Sequence, residues 1–237
     1  MCGRFTLRSS MPAVAAEFDV DVPETALLLF NIAPTQQVSA VRVVEDDRRA
    51  LCSLRWGLVP QWADDLAVGN RMINARADSV ATKPAFRQAF ASRRCLVVAD
   101  GFYEWQRGGR QKQPYYFRLR DDRPFGFAGL WERWSKGGQT VESCTIITTE
   151  PNELVAPLHD RMPVILPHDA YDLWLSPRTQ EIELLQSLLQ PYASDQMVGY
   201  PVSTRVNRSA YNEPDCIRPQ TDEKVSPPVG RERTLFD

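Results

Sequence analysis

The sequence predicts an α+β domain built on a largely antiparallel, barrel-like sheet with a few peripheral helices. Three observations carry this expectation. Short apolar runs recur along the chain and are joined mostly by tight turn signals, the pattern of strands running hairpin to hairpin. Stretches with helical spacing are few, brief and scattered between them. No internal repeat and no clear linker interrupts the chain before residue 220, and 237 residues are enough for one sizeable core. The reading is one domain over residues 1–220, followed by a polar, Pro-rich tail over 221–237 that is expected to be mobile.

Residues 3–7 read as a short strand. Ser9 and Ser10 can cap a helix over residues 12–18, with Pro12 in its first turn. After a polar loop comes Asn31-Ile32-Ala33-Pro34, a rigid corner because Pro34 fixes φ and removes a backbone donor. Residues 39–45 and 49–58 make a hairpin pair around Asp46-Asp47-Arg48. It runs into Trp56-Gly57-Leu58-Val59-Pro60-Gln61-Trp62, where one tryptophan can be core and the other an exposed lip, against core packing for either one. In Ile73-Asn74-Ala75-Arg76 the alternation of an extended segment puts Asn74 and Arg76 on one face. Asp78 or Ser79 is expected to cap a helix, and a second helix follows Lys83-Pro84. Residues 94–99 form a strand continued by 100–105. A turn at 106–111 leads to three antiparallel strands at 114–120, 125–131 and 140–148. A helical turn at 151–155, a loop carrying His159, a strand at 164–166, helices at 168–175 and 178–189, and late strands from 198 complete the domain.

Composition bounds the function. A hydrophobic content of 43% with 24% charged residues is ordinary for a soluble globular chain. No apolar run approaches the ~20 residues needed to span a bilayer, and no signal-peptide pattern opens the chain. A cytoplasmic protein is expected. Five widely spaced cysteines fit neither a disulfide framework nor a CxxC metal site, and Cys52, Cys95 and Cys144 lie in apolar runs that suit a core. The net charge of −2 excludes a bulk polycation. Of 28 basic residues, however, 24 are arginine. That excess fits either GC-rich codon usage or a local phosphate-binding patch.

The chemistry concentrates at Met1-Cys2-Gly3-Arg4-Phe5. Methionine aminopeptidase removes an initiator ahead of a small residue, which would leave Cys2 first. A terminal cysteine carries an amine (reference pKa about 7.7–8.0) and a thiol (about 8.5) two carbons apart. Both are then expected to be partly nucleophilic near neutral pH. Such a 1,2-aminothiol condenses with an aldehyde to a thiazolidine, or attacks an acyl carbon with its amine as base. Cys2 can equally be an ordinary strand cysteine. Glu104 sits between aromatics in Gly101-Phe102-Tyr103-Glu104-Trp105, where it either faces water or is held in a pocket. Of the two histidines, His168 starts a helix, whereas His159 lies in a loop beside Asp160 and Arg161 and is the candidate proton carrier.

Six ordered segments together resemble one family: Met1–Phe5, Asn31–Pro34, Trp56–Pro60, Ile73–Arg76, Gly101–Trp105 and His159-Asp160-Arg161-Met162-Pro163. The sequence is similar to the SOS response-associated peptidases, the abasic-site processing proteins. The resemblance implies a single compact α+β domain that binds single-stranded DNA and cross-links to abasic sites, nucleoid-associated when on DNA. It implies Cys2 as nucleophile and Asn74, Glu104 and His159 as its active-site partners. Arg4, Arg76 and Arg161 would hold DNA phosphates, while Asn31, Pro34 and Trp62 would shape the groove around the extruded nucleotide. No metal or cofactor is called for, and the protein is read as a monomer. The peptidase label would cover removal of residues ahead of Cys2 or reversal of the adduct. After Asn-Ala-Arg the family commonly has Glu-Thr, whereas this chain has Asp78-Ser79.

Two other readings stay open at this level. One is an N-terminal-nucleophile hydrolase such as a glutamine amidotransferase, which also starts Cys-Gly after Met removal. The other is a non-catalytic reader of single-stranded DNA in which Cys2 is incidental. In the tail, Arg233-Thr234-Leu235-Phe236-Asp237 loosely resembles Leu-Phe motifs that dock on the bacterial sliding clamp, against the alternative of a chance apolar pair.

Overall fold

Two glycines set the longest hairpin of the chain. Gly137 and Gly138 both adopt positive φ (58° and 79°), the backbone demanded by a tight hairpin turn. Pairing therefore starts at once, with Gln139 opposite Lys136, and the first strand runs to residue 136 rather than stopping at 131. The structure, a computed structural model, describes residues 2–22, 28–106 and 112–220. The C-terminal tail with its Leu-Phe pair, and most of the 106–111 turn, lie outside the described residues.

The strands in order are β1 (Phe5–Leu7), β2 (Leu29–Ile32), β3 (Gln37–Val43), β4 (Arg49–Trp56), β5 (Asn74–Arg76) and β6 (Arg94–Ala99). Then come β7 (Gly101–Trp105), β8 (Pro114–Leu119), β9 (Phe125–Lys136), β10 (Gln139–Thr149), β11 (Met162–Pro163) and β12 (Met197–Pro201). The helices are α1 (Met11–Phe18), α2 (Arg87–Ser92), α3 (Tyr171–Leu175) and α4 (Ile182–Ser187). β10, β4, β3, β6 and β9 pair in sequence, and β9 pairs back onto β10, which closes a five-stranded barrel. The closing contact between β4 and β10 is parallel, Ser143 opposite Arg55. The last residues of β10 carry parallel β5 and antiparallel β11. A second, wholly antiparallel sheet runs β12-β8-β7-β1-β2. The expected α+β domain with a barrel-like sheet is the fold found.

Phe5 joins the two sheets. Its ring meets Trp56 at 5.0 Å and Phe127 at 5.8 Å, both edge to face. A buried carboxylate fixes the same strand from the other side. Asp100 accepts the Thr6 hydroxyl (2.5 Å), the backbone N–H groups of Arg8 (2.5 Å) and Ser9 (2.7 Å), and the Ser9 hydroxyl (2.9 Å). Tyr116 lies over this corner, and a Cβ on Gly101 would fall 2.1 Å from the Tyr116 hydroxyl. Only glycine fits there. β1 is thereby held in one register against β7.

The helices are shorter than their periodicity suggests. α1 is capped by Ser10 as expected, with Ala13 N–H donating to its hydroxyl. No helix starts at Asp78 or Ser79, where the chain runs in turns. The Asp78 carboxylate takes Arg76 instead of backbone N–H groups. The expected 178–189 helix contracts to α4 because buried Arg94 captures the carbonyls ahead of it. Its guanidinium donates to Trp174 O (2.6 Å), Ser176 O and Thr179 O (3.0 Å), and to Phe90 O and Ala91 O at the end of α2. Five carbonyls, some past a helix end, are satisfied by one cation. Among the described residues no helix is long and apolar enough to cross a membrane, and the five cysteines are free thiols.

Candidate active site

Cys2 lies three residues ahead of Phe5, the first residue of β1, and is fully buried. The β1–β7 ladder continues back toward it, with Tyr103 N–H donating to Arg4 O at 3.0 Å. That register carries Glu104, itself only 2% exposed, to the start of the chain. Burial pushes the Cys2 thiol well above its ordinary range, and the charge of Glu104 pushes it further. The thiol is therefore protonated at neutral pH.

Asn74 opens β5 and reaches the same point from the barrel. Its Nδ2 donates to Cys2 O at 2.8 Å. Its Oδ1 is buried without a hydrogen-bond partner among the described residues, an acceptor left over for a ligand donor. β5 is aimed by the core: Trp56 is buried and its Nε1 donates to Ile73 O at 2.9 Å. Of the two readings open for the tryptophans, the structure has Trp56 in the core and Trp62 as the exposed lip, at 63%.

Thr148 of β10 lies opposite Arg76 on one edge and Pro163 on the other, so Arg76 and the His159–Arg161 loop flank one strand end. The His159 side chain is largely buried. Its Nδ1 accepts Arg161 N–H at 3.0 Å and lies 2.9 Å from Asp160 Oδ1. One nitrogen cannot do both. The neutral ring accepts from Arg161 and carries its proton on Nε2; the charged ring donates to Asp160. Two protonation states thus each have a partner, which suits proton transfer. Arg161 is anchored by donation to Thr148 Oγ1 (3.1 Å) and Thr148 O, and its Nη1 lies 3.7 Å from Asp78 Oδ2. Arg76 donates to that same oxygen through Nε (3.1 Å) and Nη2 (2.8 Å).

The description "SOS response associated peptidase (SRAP)" belongs to the family model that matches residues 1–209. This chain belongs to that family. It is 45% identical to the abasic site processing protein YoaM of Bacillus subtilis over 92% of this chain and 97% of the relative. It is 34% identical to the abasic site processing protein HMCES of Xenopus tropicalis over 73% of this chain, which spans 58% of that longer relative. A solved protein structure from Bacteroides thetaiotaomicron superposes with a TM-score of 0.82 at 26% identity, covering 92% of this chain and 100% of that one.

The SRAP motifs do not all do the same work here. Arg4 donates through Nη1 to Asn31 Oδ1 and Val206 O, each at 2.9 Å, and its burial lowers its pKa. Asn31 is buried, and its Nδ2 serves Val206 O (3.1 Å), Arg208 O (3.0 Å) and Tyr211 O (2.7 Å). These two side chains pin the 206–211 segment to the start of the chain. Pro34 is partly buried in a turn whose next residue, Thr35, has φ 73° and donates its N–H to Trp56 O. Two residues that the sequence reading gave no site role now stand out. Thr148 fixes Arg161, and Asp78, expected as a helix cap, bridges the arginines. A threonine in a long strand carries no signal of its own, but a carboxylate two residues after Arg76 in a non-helical segment does.

Proposed function

We propose that this SRAP protein recognises abasic sites in single-stranded DNA and captures the sugar aldehyde through Cys2. The observation that carries the reading is the meeting of Cys2 with a buried carboxylate, Glu104, and with the amide of Asn74. The abasic-site names of the relatives YoaM and HMCES point the same way.

Once Met1 is removed, the Cys2 amine attacks the open-chain aldehyde, forming a C–N bond and releasing one water. The S–H bond then adds across the resulting imine. Sulfur bonds to the former aldehyde carbon and the proton ends on nitrogen, closing the thiazolidine. The high thiol pKa makes the amine the first nucleophile and leaves the thiol dependent on a proton acceptor, the role given to Glu104. His159 serves the proton transfers of sugar ring opening. Before closure, the imine acidifies the neighbouring carbon, so β-elimination of the strand is the side reaction. The peptidase character belongs to removal of residues ahead of Cys2.

Intact mass before and after incubation with an oligonucleotide carrying one abasic site tests the proposal. A chain starting at Cys2 should gain the oligonucleotide minus one water, and Cys2→Ala should give no heat-stable adduct. A heat-stable adduct with Cys2→Ala, or none with the wild type starting at Cys2, overturns it.

A further inference from the structure

A cavity of about 380 Å3 opens beside Arg161, away from Cys2's own contacts. It falls within the usual range of small-molecule sites, about 300–1,000 Å3. Its walls come from four places: the residues following β5, the end of β10, Arg161 just ahead of β11, and the C-terminal end of α4. Asp78, Glu150 and Arg161 supply charges, Gln186 and Gln190 supply amides, and buried Leu189 supplies an apolar surface.

Resting on the abasic-site reading, we infer that this cavity holds the nucleobase of a nucleotide next to the lesion and favours bases with an exocyclic amino group over thymine. Two carboxylates against one guanidinium make it a poor place for a phosphate. The cations that suit a phosphate lie at its edge, since Arg76 is exposed and Arg161 lines the wall. A strand whose phosphate rests on these arginines has its adjacent base at the cavity mouth. Inside, the base meets carboxylates, which only accept hydrogen bonds, and amides, which do both. The amino groups of cytosine, adenine and guanine supply donors to match. Thymine offers two carbonyl acceptors around a single N–H, so a carboxylate opposite it faces oxygen. Leu189 gives the base an apolar surface to lie on.

The test uses thymine-only oligonucleotides with one abasic site, in which a single neighbour on either side is changed to adenine, guanine or cytosine. Adduct formation should be about tenfold faster with an amino-bearing base on one side, the lower end of what one hydrogen bond to a charged group is worth. Glu150→Gln, and Gln186→Ala with Gln190→Ala, should flatten that ratio. The ratio compares two DNAs on the same variant, so partial loss of folded protein does not change it. Equal rates for all neighbours, or a preference unchanged in both variants, overturn the cavity assignment alone. No adduct on any of these DNAs overturns the abasic-site reading on which it rests.

Discussion

Two arginine corners flank Cys2, and they are built in opposite ways. At the inner corner Arg4 is half-buried and spends Nη1 on Asn31 and the carbonyl of Val206, while Asn31 ties down three carbonyls of the 206–211 segment. At the outer corner Arg76 is 56% exposed and pairs with Asp78, a carboxylate that is itself 54% exposed. The inner arginine is part of the scaffold that holds the start of the chain. The outer one is a handle whose single counter-charge water or a phosphate can replace. An arginine in a nucleic-acid protein is therefore sorted by what already holds it, not by its residue type.

The inner corner gives the largest expected effect. Asn31→Ala removes one of the two acceptors of Arg4 and strands buried carbonyls, and should cost about 2–4 kcal/mol of stability in chemical denaturation. A loss below the error of that measurement would erase the difference between the corners. Arg76→Ala should leave stability within about 0.5 kcal/mol. It should weaken binding of lesion-free single-stranded DNA and reduce the salt slope by about 0.7. Both are read in one fluorescence titration series over salt. Asp78→Asn should tighten the same binding by about twofold to fivefold, the scale of one exposed ion pair. Weaker binding would mean that Asp78 orders the arginines rather than occupying them.

Alkylation sharpens the comparison further. The buried Cys2 thiol, with its pKa raised by burial and by Glu104, stays protonated as pH rises through neutrality. Its thiolate, and so its labelling by iodoacetamide, should be gained only well into the alkaline range. Cys52, partly exposed and pushed up to about 11, should label first on a rising pH series followed by peptide mass spectrometry. Asn31→Ala should bring Cys2 labelling to lower pH if the inner corner is what keeps the thiol buried.

The candidate site residues were more legible in the sequence than the architecture around them. Cys2, Asn74, Glu104 and His159 stand in short contiguous motifs, and the alternation around Asn74 and Arg76 follows directly from strand geometry. Asn31 is also in such a motif, yet its work is done on residues 175–180 positions downstream, which no local pattern announces. The same distance hid the barrel closure. Hairpins were readable from turns, but the parallel pairing of β4 and β5 with β10 joins segments with no turn between them. Helix 178–189 had the right periodicity and lost its first turn to a competitor about 85 residues away, since Arg94 draws off Thr179 O. Asp78 was expected to cap a helix, but no helix starts there and its carboxylate faces two arginines instead.

The docking of β1 also sets an order of events during synthesis. The first residues made are locked in place only when β7 emerges, because Phe5 pairs with Phe102 and Thr6 with Gly101. At about 5–20 residues per second, roughly 5–20 s separate the two on the ribosome. In that interval the N-terminus is open to the aminopeptidase; afterwards Cys2 is fully buried. The removal of Met1 that the proposed Cys2 chemistry requires thus has a deadline, set by the length of chain between a strand and its partner.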